Sequence, residues 1–91
     1  MDTDVRSTNV TATGSVRAAP TRVRKIVFVS TETAGSVVLR DGGSGGSVEI
    51  DIDTPAVAGL HAVDIPCNGV RFSTDVHATL SNVSSLTVFY G

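Results

Sequence analysis

The amino-acid sequence predicts an all-β protein: a single antiparallel β-sandwich or jelly-roll-like domain of about eight short strands with an extended N-terminal arm. Three observations carry this expectation. From Ser30 to Gly91, short runs rich in Val, Ile, Thr and Phe alternate with Gly, Pro and Asn turns at close, regular intervals, the rhythm of sandwiches and closed barrels. Arg40-Asp41-Gly42-Gly43-Ser44-Gly45-Gly46-Ser47 separates Ser36-Val37-Val38-Leu39 from Val48-Glu49-Ile50-Asp51-Ile52, the layout of a hairpin. No helical spacer intervenes, so the roughly dozen residues that a parallel crossover needs are missing.

The elements follow in order. Residues 1–20 read as an extended arm or an edge strand: Val5 to Thr13 is rich in Thr and Val but sparse in large apolar groups, Gly14 and Ser15 loosen the chain, and Pro20 donates no ladder hydrogen bond. The sandwich body is placed at residues 21–91. Its main strand, Arg22 to Ser30, begins by alternating and becomes continuously apolar, as a central strand covered on both faces does. Thr31 to Gly35 turns into Ser36–Arg40, and the Gly-Gly-Ser-Gly-Gly loop reads as a flexible hairpin connection. In the next run Val48, Ile50 and Ile52 are expected on the core face, with Glu49, Asp51 and Asp53 opposite. A run from His61 to Ile65 follows, with Val63 and Ile65 inward. Asn68-Gly69 in Pro66-Cys67-Asn68-Gly69 is the hairpin signal before Val70-Arg71-Phe72-Ser73. Ala78-Thr79-Leu80, a turn at Asn82, and Leu86 to Tyr90 complete the chain.

Composition bounds the function. Ninety-one residues make one small domain. Phe28, Phe72, Phe89 and Tyr90 are the whole aromatic inventory, without Trp, so valines must fill a thin core, which favours burial against a partner. The lone Cys67 excludes an intrachain disulfide and reads as a small, partly buried filler. The acidic start Met1-Asp2-Thr3-Asp4 lacks the features of a signal peptide, and no apolar run reaches the roughly 18 residues of a membrane span. The expectation is a soluble protein made in a reducing cytoplasm, with no membrane partner. A net charge of −2 and the scarcity of stacking groups argue against nucleic acid.

Candidate chemistry is sparse. Glu49, Asp51 and Asp53 share one strand face, where carboxylate oxygens suit calcium. Their spacing of about 6.5–7 Å at i and i+2 is wide for one ion, and a solvent face explains them equally. His61 and His77 have no zinc-type companions and read as surface or strand-edge residues. The glycine loop lacks the Gly-Lys-Ser/Thr of a phosphate cradle, and no Gly-x-Ser-x-Gly elbow occurs. No catalytic, cofactor or metal residues are assigned, and an enzyme is not expected. The feature that stands out is the basic group Arg17, Arg22, Arg24 and Lys25. It reads either as a solvated strand start that discourages edge-to-edge pairing or as an electrostatic anchor for an acidic protein surface, in another protein or in a sister subunit.

Four stretches carry a resemblance: Val38 to Gly46; Asp53-Thr54-Pro55-Ala56; Pro66-Cys67-Asn68-Gly69-Val70-Arg71-Phe72; and Asp75 to Val83 continuing through Thr87-Val88-Phe89-Tyr90-Gly91. Through them residues 22–91 resemble small β-rich structural proteins of tailed, particularly marine, bacteriophages. The resemblance implies a virion component, best a capsid decoration (cement) protein. Such a protein binds the major capsid protein on the outside of the head, as a trimer, and stabilises the shell. It implies no catalytic residues and names no binding positions. A tail, neck or fibre-associated β-module is the alternative within the virion, and a small carbohydrate- or calcium-binding β-domain the alternative outside it.

Overall fold

Alternation along the chain, interrupted by a few bulges, is what divides this protein into an inside and an outside. The computed structural model describes residues 5–65 and 69–91. Nine strands occur among them: β1 (Arg6–Val10), β2 (Gly14–Arg17), β3 (Thr21–Ser30), β4 (Gly35–Asp41), β5 (Ser47–Thr54), β6 (Gly59–Asp64), β7 (Val70–Phe72), β8 (Val76–Ser81) and β9 (Val83–Tyr90). They form two antiparallel sheets. One has the order β1-β9-β3, with β6 and β7 sharing the far edge of β3; the other has the order β2-β8-β4-β5. The fold is the predicted all-β sandwich.

The core lies between the sheets. Phe72, Ile26, Leu39 and Leu86 are its largest fully buried side chains, and Val23, Val37, Val76 and Val88 fill the rest. A β-bulge at Arg24 re-phases β3, so that Val23 and Ile26, three residues apart, both face inward. β3 is central in its sheet, yet it is covered on one face: Val27 and Val29 remain half-buried on the other. A second bulge, opposite Leu39/Arg40, re-phases β5. It leaves Val48, expected in the core, 48% exposed while Ile50 is buried.

Residues 6–10 and 14–17, within the segment read as an extended arm or an edge strand, pair within the sheets. β1 is an edge strand hydrogen-bonded along β9 from Arg6↔Tyr90 to Val10↔Leu86, and β2 is the edge strand beside β8. An edge strand buries few side chains, which is why the segment is poor in large apolar groups; Val16 is its one core residue. Asn9 Nδ2 adds a hydrogen bond to Thr87 Oγ1 at 3.0 Å. Pro20 lies in the link where the chain passes from one sheet to the other, a place that needs no ladder donor.

β6 and β7, the strands before and after the expected Asn68-Gly69 turn, pair with β3 rather than with each other. β6 pairs with Lys25–Ser30 and β7 with Thr21–Val23, both antiparallel to β3, and Ile65 N donates to Arg24 O at 3.0 Å in between. The two strands are one interrupted edge, and residues 66–68, with Cys67 and its expected burial, lie outside the described residues. Gly69 has φ +82, and a Cβ there would stand 2.2 Å from Val23 O. The turn at Asn82 (φ 55) is the corner by which the chain leaves β8 for β9 in the other sheet.

The glycine loop does join β4 to β5, but it is pinned rather than free. Gly42 N and Gly43 N donate to Asp75 Oδ1 at 2.9 and 3.0 Å. In return, Asp41 accepts from Ser73 N, Ser73 Oγ and Thr74 N at 2.9, 3.0 and 2.8 Å. This double clasp ties the hairpin to the β7–β8 link. The Ser73 and Thr74 amides favour the charged form and hold the Asp41 carboxyl below its ordinary pKa.

Candidate functional site

Four arginines from four different strands converge at one end of the sandwich. Arg6 (β1), Arg17 (β2), Arg22 (β3) and Arg71 (β7), with Pro20, Thr21, Tyr90 and Gly91, line a groove of about 500 Å³. Pairing explains how residues so distant in sequence meet. Arg6 stands opposite Tyr90 on β9, Tyr90 opposite Val23 on β3, and Arg22 opposite Arg71 on β7. β2 brings Arg17 from the other sheet.

Tyr90 organises this end of the molecule. Its ring is nearly buried, its hydroxyl lies 3.0 Å from Thr8 Oγ1, and the Arg17 guanidinium carbon stands 5.0 Å from the ring centroid. A guanidinium over a tyrosine face is held by the ring quadrupole and keeps its N–H edge free to donate. The Thr8 hydrogen bond, assisted by Arg17 and Arg6, draws the Tyr90 phenol below its ordinary pKa. No aspartate or glutamate lines the groove among the described residues. The exposed Arg6 and Arg71 guanidiniums present planar donors, which match carboxylates two bonds at a time.

The structure divides the basic group that the sequence brings forward. Arg17 and Arg22 line the groove, whereas Arg24 turns to Gly91, its Nε and Nη2 donating to the Gly91 oxygen at 3.3 and 3.1 Å. Lys25 pairs with Asp64 across the sheet at 3.4 Å, with both side chains well exposed. Arg6 and Arg71 join the groove without having been expected there. Arg6 lies in the segment read as an arm or an edge strand, and the meeting of Arg71 with Arg22 is set by the β7–β3 register, which local pattern does not encode.

The other candidates stay apart. Glu49, Asp51 and Asp53 are exposed on β5, the sheet edge opposite β2. Among the described residues no three His, Cys, Asp or Glu side chains are grouped to hold a metal ion. His61 is half-buried on the inward side of β6, its ring stacked on Phe28 at 5.3 Å between centroids. His77 is half-buried on β8, opposite Arg40. The two belong to different sheets and form no common site.

No protein-family model, no curated protein and no solved structure matches this chain.

Proposed function

We propose that this chain is a non-enzymatic structural protein of a tailed-phage virion, a capsid decoration protein. In this reading it sits on the outer surface of the head as a homotrimer, contacts the major capsid protein and stabilises the shell. The observation that carries it is the arginine groove: a densely cationic surface on a small β-sandwich of net charge −2. Such a surface suits an acidic protein face, in the capsid or in a sister subunit, better than it suits nucleic acid. The one aromatic ring in the groove, Tyr90, is nearly buried and already covered by Arg17, so it offers no platform for a base. The resemblance of residues 22–91 to small phage structural proteins supplies the setting, with synthesis in the host cytoplasm and function on the particle.

Arg6 and Arg71 are exposed and lie in the groove without the ring packing of Arg17. Arg6→Ala with Arg71→Ala lowers affinity for expanded heads of the parent phage by about tenfold or more, equivalent to about 1.4 kcal/mol, and leaves the melting temperature unchanged. Co-sedimentation of the purified protein with those heads measures the affinity. Undiminished binding by the double variant removes the groove from the attachment surface.

A further inference from the structure

We propose that the occupant of the arginine groove is a second copy of this chain, which seats its β5 carboxylate row there, head to tail. The inference rests on the reading of the groove as an attachment site and names its partner. Arg17 and the row stand on opposite edges of one sheet, with Asp53 also at the far end of the strands. Arg17 is on β2 and the row is on β5, with β8 and β4 between them, about 14 Å across at the usual strand spacing. The register sets Arg17 beside Val76 at one end of β8, while β4 carries Ser36 from Ser81, at the other end of β8, to Asp53. Within one chain the row and the groove therefore do not neutralise each other.

Glu49, Asp51 and Asp53 are exposed, and none makes a hydrogen bond or ion pair to a described residue. Their neighbours across the strand pair are uncharged: Asp51 stands opposite Val38 and Asp53 opposite Ser36. The regular part of the strand holds the Asp51 and Asp53 carboxyl groups about 6.5–7 Å apart, a spacing set by the backbone before they meet the arginine fork geometry.

Charge also selects the mode of contact. Two β5 edges brought together set carboxylate against carboxylate, and two grooves set guanidinium against guanidinium, so both two-fold arrangements are repulsive. Row into groove is the attractive pairing, and it is heterologous: each copy offers one surface of each kind, as in a ring. Exposed ion pairs of this sort weaken as salt shortens the Debye length from about 10 Å at 0.1 M to about 3 Å at 1 M.

Sedimentation velocity on the purified chain tests the proposal with two charge-reversed variants, Arg6→Glu/Arg71→Glu and Asp51→Lys/Asp53→Lys, all at exposed positions. The wild-type chain sediments as an oligomer at low salt and dissociates at about 0.5–1 M. Each variant alone is monomeric. An equimolar mixture re-forms a salt-sensitive oligomer, because the intact row of one variant meets the intact groove of the other, and the lysine-bearing row does not repel the glutamate-bearing groove. A wild-type monomer at every salt overturns the proposal, as does an oligomer indifferent to salt or a mixture that stays monomeric. Loss of head binding by Arg6→Glu/Arg71→Glu in a chain that is always monomeric leaves the attachment reading standing without it. Charge-specific association of the two variants in chains that never bind heads does the reverse.

Discussion

Replacing Phe72 with alanine removes the largest fully buried side chain in the molecule from its shortest strand, the three-residue β7. The strand is held by its pairing with Thr21–Val23 and by this one ring in the core. Phe→Ala in a core costs about 3–5 kcal/mol, and a domain of this length has a total stability of about 5–14 kcal/mol. The thin, valine-rich core places this chain toward the lower part of that range, so the variant retains a small margin. At an m-value of about 1.5 kcal/mol/M in urea, the unfolding midpoint falls by about 2–3 M. The loss also reaches the groove, because Arg71 precedes Phe72 on β7 and depends on that strand for its place opposite Arg22. Urea titration followed by circular dichroism gives the midpoint, with Arg71→Ala as the companion variant. Arg71 is exposed, so its truncation leaves the stability within about 0.5 kcal/mol of wild type while weakening head binding. A Phe72→Ala midpoint within about 0.5 M of wild type refutes the argument that this ring anchors β7.

Other perturbations separate the remaining contributions. Gly69→Ala adds a Cβ 2.2 Å from Val23 O at φ +82, whereas Gly43→Ala meets nothing within 4 Å at φ +81. Both carry the conformational cost of about 1–3 kcal/mol, and Gly69→Ala must be the more destabilising in thermal melts. Asp41, held in its charged form by the Ser73 and Thr74 amides, has a lowered folded-state pKa. Its contribution is therefore fully present above the ordinary carboxylate pKa and lost as pH falls through the lowered one. Asp41→Asn is then less stable than wild type at neutral pH, and the gap narrows in acid; urea midpoints from pH 7 to pH 2 follow it. Lys25→Ala removes an exposed pair with Asp64, changes stability by less than about 1 kcal/mol, and leaves head binding intact.

Local pattern was sufficient for some of this architecture. The glycine-rich link between β4 and β5, the central place of β3 and the turn at Asn82 follow from turn chemistry and apolar spacing, because those signals lie within a few residues of the structure they specify. The departures arise where distant residues decide. Arg6–Val10 reads as either an arm or an edge strand because an edge strand needs little apolar surface; its place is fixed by backbone pairing with β9 at the other end of the chain. Asn68-Gly69 carries a strong turn preference, yet β6 and β7 both find their partner in β3. Bulges at Arg24 and beside Arg40 shift the inward phase by one residue, which strict alternation does not anticipate. The groove has the same cause. Residues 6, 17, 22 and 71 share one end only because four separate registers bring them there, and Arg24 and Lys25, adjacent to that group in sequence, turn elsewhere.

Labelling of intact virions with an antibody to this chain, imaged by electron microscopy, tests the proposed role most directly. The account predicts label spread over the faces of the head, lost from particles carrying Arg6→Ala/Arg71→Ala. Label confined to the tail or neck, or virions that carry none, contradicts it.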